Sequence, residues 1–277
     1  MLMPRFDLLY PIEGMAAMPL SGRMRKVSSD TWFAGVDGCR AGWLLALARP
    51  GDGEVRLRVV PRFAEVIAAP EAPSVIAVDI PIGLPEQAGH GGRRADNMVR
   101  PLLGARRSTV FAVPSRRAVF AEVGPFGDQQ SRSAAHQRAC AIARETSDPP
   151  RSISIFAFGI FSKIREVDAV LQSDRSLHGR VREAHPELAF WRLNGERPLA
   201  SPKKTEAGLA LRRRLLIEAG LPAAVVNGAP PEGAARDDLL DALACAAIAR
   251  RIHRGLARPF PDPPERDACG LPMAIWA

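Results

Sequence analysis

The sequence predicts a single α/β domain, on three observations. Its 277 residues, 47% of them hydrophobic, suffice for one sizeable core. Its apolar segments are of two kinds, short continuous or period-two runs and longer stretches at helical spacing. Two of the short runs, TWFAGVDG and SVIAVDIPIG, each release one aspartate near their ends, at the carboxyl edge where open α/β sheets bind ligands.

In chain order, Thr31 to Asp37 is expected as a buried strand, Gly42 to Ala48 as a second and the alternating Glu54 to Val60 as a half-exposed third. Gly38 and the run Pro50, Gly51, Asp52, Gly53 supply the turns of an antiparallel meander. Arg62 to Ala69 fits a short helix that Pro70 and Pro73 end. Ser74 to Ile80 is too continuously apolar for a one-sided strand and belongs in the middle of the sheet, with Pro81, Gly83 and Pro85 forcing the chain out after Asp79.

An arginine-rich helical insertion is expected after this fourth strand, over about residues 86–175. Arg93, Asp96 and Arg100 lie at helical spacing, and Ser108 and Thr109 lead into a short extended piece, VFAVP. Ser131 to Glu145 is expected as a helix broken by Pro149 and Pro150. Ser152 to Phe161 is apolar without clear period, a strand or a lid over the core, and Lys163 to Gln172 a short amphipathic helix. Val181 to Ala184 is the expected fifth strand; it carries Glu183 beside Asp79 on one side with Val181 and His185, and Glu187 takes that place if the strand runs on. Asn194 to Lys204 is loop, and Thr205 to Ala219 an amphipathic helix closed by Gly220. The last helix is expected from an N-cap at Asp237 to about His253, before Gly255. On it Asp238 and Asp241 share a face that continues through Cys245 and Ile248.

Composition excludes several classes. Cys39, Cys140, Cys245 and Cys269 show neither C-x-x-C metal spacing nor disulfide-scaffold density; reduced, mostly buried thiols in a cytoplasmic protein are expected. No apolar run approaches the ~18 residues of a membrane span, and the methionine-dotted residues 1–30, without a signal-peptide order, are expected as a disordered leader or a misassigned start. The formal charge of +8 suits a polyanionic partner, nucleic acid or a nucleotide. Only four of the 38 basic residues are Lys, an arginine bias that a GC-rich genome also produces. His90, His136, His178 and His253 are isolated and fit packing or solvent positions.

Collected, the acids are Asp37, Asp79, Glu183 or Glu187, and Asp238 with Asp241. Singly each has an ordinary structural role, Asp as turn former and the helix acids as partners of the helix dipole. Together at low dielectric they would repel strongly. Divalent cations resolve that conflict: hard oxygens suit Mg²⁺ or Mn²⁺, and a pair of such ions roughly 3.5–4 Å apart serves phosphodiester hydrolysis. The expected metal ligands are Asp37, Asp79, Glu183 and Asp241. Arg93, Arg94, Arg100, Arg106 and Arg107 are the expected phosphate anchors, their forks bidentate and nearby glycines admitting the backbone; a solvated charged insertion is the alternative.

The order of strands and helices, with a last helix opening D-x-x-D, resembles the ribonuclease H-like fold, including the Holliday-junction resolvases. More closely, GVDGCRAGW, VDIPIGLP, GGRRADNMVRPLLGARRSTVFAVPSR, EAHPELAF, ARDDLLDALACAAIA and GLPMAIWA resemble the bacterial family known as domain of unknown function 429, described as predicted nucleases of ribonuclease H fold. The resemblance runs from about Phe33 to Ala277 and leaves the leader out. It implies a mixed five-stranded sheet flanked by helices, and its acidic positions fall on Asp37, Asp79, Glu183, Asp238 and Asp241. A metal-dependent nuclease or phosphodiesterase is the leading expectation and an idle nucleic-acid or nucleotide-binding module the alternative. The phosphotransferases of related fold usually need two such domains, and one domain of this size argues against them.

Overall fold

A computed structural model describes residues 30–49 and 53–277; the expected leader, Asp30 apart, and most of the second meander turn lie outside the described residues. Seven strands form one sheet: β1 (Phe33–Cys39), β2 (Gly42–Ala48), β3 (Val55–Val60), β4 (Val75–Val78), β5 (Val181–Ala184), β6 (Pro259–Arg266) and β7 (Pro272–Trp276), in the order β3-β2-β1-β4-β5-β7-β6. The pairs β1–β2, β2–β3 and β6–β7 are antiparallel, whereas β1–β4, β4–β5 and β5–β7 are parallel.

The expected sheet of five strands is corrected to seven. β6 contains Pro259, Pro261, Pro263 and Pro264 and occupies the sheet edge, where a missing N–H costs no ladder bond. β7 lies between it and β5, pairing Glu183 with Ile275 and Ala184 with Trp276. The first turn also differs: β1 runs on through Gly38 and Cys39, so the hairpin closes at Arg40 and Ala41 and Asp37 stands two residues inside the strand.

The helices cover both faces. α1 (Phe63–Ile67) follows the meander, and the insertion after β4 contributes α2 (Arg94–Val99), a 3₁₀ helix (Arg100–Thr109), α3 (Arg116–Phe120), α4 (Gln129–Glu145), α5 (Ile155–Gly159) and α6 (Phe161–Ser173). Within Ser152 to Phe161 the chain therefore forms a helix at Ile155–Gly159 and no strand. After β5 come α7 (Pro186–Leu193), α8 (Glu206–Glu218), α9 (Ala223–Val226) and α10 (Arg236–His253). Period-two alternation sorts the strands between two cores. Ala34, Val36, Ile76, Val78 and Val181 pack with Phe63, Phe158 and Phe161 on one face. Phe33, Val75, Ala77 and Ala184 pack with Leu188, Leu216 and the apolar stripe of α10 on the other. Among the described residues no helix is long and apolar enough to cross a membrane, and all four cysteines are free, with Cys39, Cys140 and Cys245 buried.

One contact sets the height of α10 over the sheet. A Cβ at Gly35, mid-β1, would lie 2.0 Å from the Ala242 carbonyl oxygen and 2.1 Å from the Ala246 nitrogen, so backbone meets backbone there. Gly35→Ala is expected to lower unfolding free energy by about 1–3 kcal/mol or more, as overpacking does. Urea denaturation measures it, and an unchanged midpoint would mean that the helix does not sit against the strand.

Candidate active site

The alternation that builds the two cores also decides which acids meet. Asp37 follows Phe33 and Gly35 in phase on β1, and Asp79, one residue past β4, follows Val75 and Ala77, so both fall on the α10 side. Asp79 is tied to β1 by its backbone N–H, which donates to the Val36 carbonyl at 2.9 Å. α10, seated on Gly35, brings Asp241 down onto them one turn inside its first residue. Asp238 sits at the third position of α10 and accepts from the Ala235 N–H at 2.8 Å, so Ala235 and not Asp237 is the N-cap.

These carboxylates are in one another's field. Burial, then Asp79, Asp241 and Asp238, hold the Asp37 carboxyl well above the usual carboxylate range, against one opposing hydrogen bond from the Gly38 backbone. Burial and Asp241 do the same to Asp79, with Lys203 opposing. Burial pushes Asp241 up to about 6 although Lys203 pulls it down. Asp37 and Asp79 are only half-buried, because they open onto a cleft. Asp79 has no side-chain hydrogen bond or ion pair to any described residue.

Lys203, which nothing in the sequence singled out, supplies the compensating charge. It stands in the loop before α8, its Nζ 2.9 Å from Asp241 Oδ2 and 3.3 Å from Asp237 Oδ2. Burial works against its charge, and the two aspartates more than restore it, so its pKa is raised. A second amine, Lys163 of α6, lies 4.4 Å from the Trp43 ring centre and donates to the Gly42 carbonyl; burial lowers its pKa.

Glu183 lines the same cleft as Asp37 and Asp79 and adds to the charge that raises Asp79, but it reaches them already paired. It shares the phase of Val181 on β5 and the register of Val78 on β4, so it points to the opposite face. There both its oxygens accept from Arg93, at 2.6 and 2.8 Å, and Oε2 also accepts from the Ile82 N–H at 2.7 Å. Arg93 adds Asp96 at 2.7 Å and the Ile82 carbonyl at 2.9 Å. At 4% exposure Arg93 is an internal ion and not a phosphate anchor, and it occupies both oxygens of Glu183. Burial still raises the Glu183 pKa against the pull of Arg93. Glu187, the alternative, is likewise engaged: both oxygens accept from the buried Arg212, at 2.7 and 2.8 Å, and Arg106 approaches at 3.3 Å.

The remaining expected anchors divide. Arg94 faces Glu265 at 3.3 Å across the surface, and Arg100 is spent on the Val110 and Gly91 carbonyls and Asn97. Arg107 is exposed and has no ion pair among the described residues.

The cleft over the acids has a volume of about 610 Å³. Asp37 and Asp79 lie in its floor, Ser108, Thr109 and Phe111 in one wall, Phe156 and Ile160 in another. His185 closes the inner end, one ring nitrogen 3.3 Å from the Thr109 carbonyl and Nδ1 buried without a partner; burial lowers its pKa. A divalent cation suits this floor by donor chemistry: hard oxygens, mutually repelling, with Asp79 in no ion pair among the described residues. The ligands are not drawn into a coordination sphere, for among the described residues no three of His, Cys, Asp and Glu are gathered closely enough to hold an ion. Lys203 pairs with Asp241 and Arg93 with Glu183.

A family model described as "Protein of unknown function (DUF429)" matches residues 35–266, a span that includes all five acids and the whole insertion. Comparison with curated proteins and with solved structures finds no match.

Proposed function

The chain belongs to the DUF429 family, and we propose that it is a divalent-metal-dependent phosphodiesterase acting on nucleic acid, its first five strands arranged as in ribonuclease H. The strand order β3-β2-β1-β4-β5, an antiparallel meander followed by two parallel strands, supports the fold. The activity rests on one observation: Asp37 and Asp79, from separate strands, line one cleft, and Asp241 of α10 lies close enough to raise the cost of ionising both. Asp37 and Asp79 would hold Mg²⁺ or Mn²⁺, with Asp241 joining them as Lys203 yields. The metal, when bound, supplies a Lewis acid that activates water and stabilises the leaving oxygen.

The chain's own groups do the rest. Lys203, held beside Asp241 and Asp237, is the cation nearest these acids and would be available to a phosphate oxygen once Asp241 turns to the metal. Ser108 and Thr109 offer hydroxyls from the wall, held there by the contact of His185 with the Thr109 carbonyl. Exposed Arg107 and the net charge of +8 favour a polyanion at the mouth.

Labelled single-stranded and duplex oligonucleotides incubated with Mn²⁺, Mg²⁺ or chelator test this. Cleavage that requires the metal and stops with chelator is the expected result, and no turnover in either metal on any substrate overturns it. The second reading, an idle binding module, is favoured by the internal neutralisation of Asp241 and Glu183. It requires binding with a steep salt dependence and no cleavage.

A further inference from the structure

We propose that the cleft takes an unpaired strand, with a base stacked on Phe156 and the adjoining backbone carried over α5 to Arg132; this rests on the nucleic-acid reading of the site above. Phe156 is 86% exposed, the most exposed large apolar side chain among the described residues, and it forms the lip of the cleft that ends at Asp37 and Asp79. An isolated apolar side chain on a surface needs no explanation. Here Ile155, 42% exposed, is its neighbour, and α5 buries Ala157 and Phe158, so the helix is anchored while its outer edge presents the ring.

The second observation lies on the other flank of the same helix. A cavity of about 530 Å³ opens there between Phe126, Phe158, Arg132 and Arg165. Arg165 is fixed by the carbonyls of Val119 at 2.7 Å and Glu122 at 3.0 Å. The Arg132 side chain has no hydrogen bond or ion pair to any described residue, yet its Nη2 lies against Gly159, 3.4 Å from where a Cβ would stand. A free guanidinium in a cavity next to an exposed ring is the pairing that single-strand binders use, a backbone anion site beside a base platform.

Shape favours a single strand over a duplex. The acids sit at the bottom of a cleft of about 610 Å³ that is walled on two sides, which is the volume of a small-molecule pocket. A double helix presents its phosphates on a convex surface and cannot lower one to such a floor; an unpaired nucleotide can.

Anisotropy of a short labelled single strand and of a blunt duplex, DNA and RNA in separate arms, tests the proposal in chelator, where no cleavage intervenes. Phe156→Ala is expected to weaken single-strand binding about tenfold, the lower range of one lost base stack, and to leave duplex binding unchanged. Phe156→Trp should restore it. Arg132→Gln should reduce the steepness of the salt dependence by about one unit. Because Phe156 is exposed, the alanine variant keeps its fold, and circular dichroism checks this. Unchanged single-strand affinity in Phe156→Ala overturns the proposal, as does an equal loss for both substrates or a change confined to self-association. Binding that obeys the predictions without turnover would sink the nuclease and keep the strand track; metal-dependent cleavage indifferent to Phe156 would do the reverse.

Discussion

Asp79→Asn is expected to abolish metal-dependent cleavage, by about a thousandfold or more, while making the metal-free protein more stable at neutral pH. On the proposed reading the loss follows because Asp79 would hold the cation, whose Lewis acidity supplies several kcal/mol of transition-state stabilisation, and each 1.36 kcal/mol is tenfold in rate. The gain follows from the same geometry. Asp79 carries no compensating ion pair and burdens Asp37 directly, so a neutral isostere removes repulsion on the order of 1 kcal/mol or more.

The sign of the pH dependence is fixed by Asp241. Its pKa rises from the ordinary 3.8 to about 6 on folding, so between those values the folded chain binds more protons than the unfolded one. Stability is then full below about pH 4 for this group and is lost as pH rises through about 6. The metal-free protein should unfold at a lower urea concentration at pH 7.5 than at pH 5, and the difference should shrink in Asp79→Asn and in saturating Mn²⁺. A catalytically dead variant that is also less stable, with a flat pH profile, would mean that the aspartates are not a repelling cluster.

Arg93→Ala is expected to cost about 3–5 kcal/mol, the penalty for leaving a buried charge unpaired. Two carboxylates depend on that guanidinium, Glu183 and Asp96, and both are at or below 5% exposure. Their other partners are backbone N–H groups of Ile82, Arg93 and Val113, which orient the carboxylates without neutralising them. The double variant Arg93→Met with Glu183→Gln should recover part of the loss, and differential scanning calorimetry of the single and double variants measures the coupling. If Arg93→Ala melted like the parent, the pair would be an accessory of the loop and not a part of the interior.

Much of the scaffold was legible from pattern alone. β1 to β5 stand out because their residues are apolar on both faces or alternate strictly, and α10 because an acidic opening precedes a continuous apolar stripe. β6 was invisible because four prolines contradict strand propensity, and only its place at the sheet edge reconciles them. Asp37, Asp79 and Asp241 were reached by position. Glu183 was also reached by position, beside Asp79 in the cleft, but its pairing with Arg93 was not legible, because strand phase does not reveal what lies on the face that Val181 occupies. Arg93 in its glycine-rich surroundings reads as a surface residue, and its burial depends on Glu183, ninety residues away. Lys203 lies in a loop with no periodicity, and the signal that remained was a lysine in a chain that otherwise uses arginine. The chain's poverty in aromatics obscured Phe156, which matters by location and not by membership of a series.

The touch of Gly35 on Ala242 and Ala246 has a consequence for how this chain tolerates change. Because main chain abuts main chain there, no side chain intervenes between the strand that carries Asp37 and the helix that carries Asp241. Any residue larger than glycine at that point would push the two carboxylate-bearing elements apart, as a washer under a hinge sets a door off its frame.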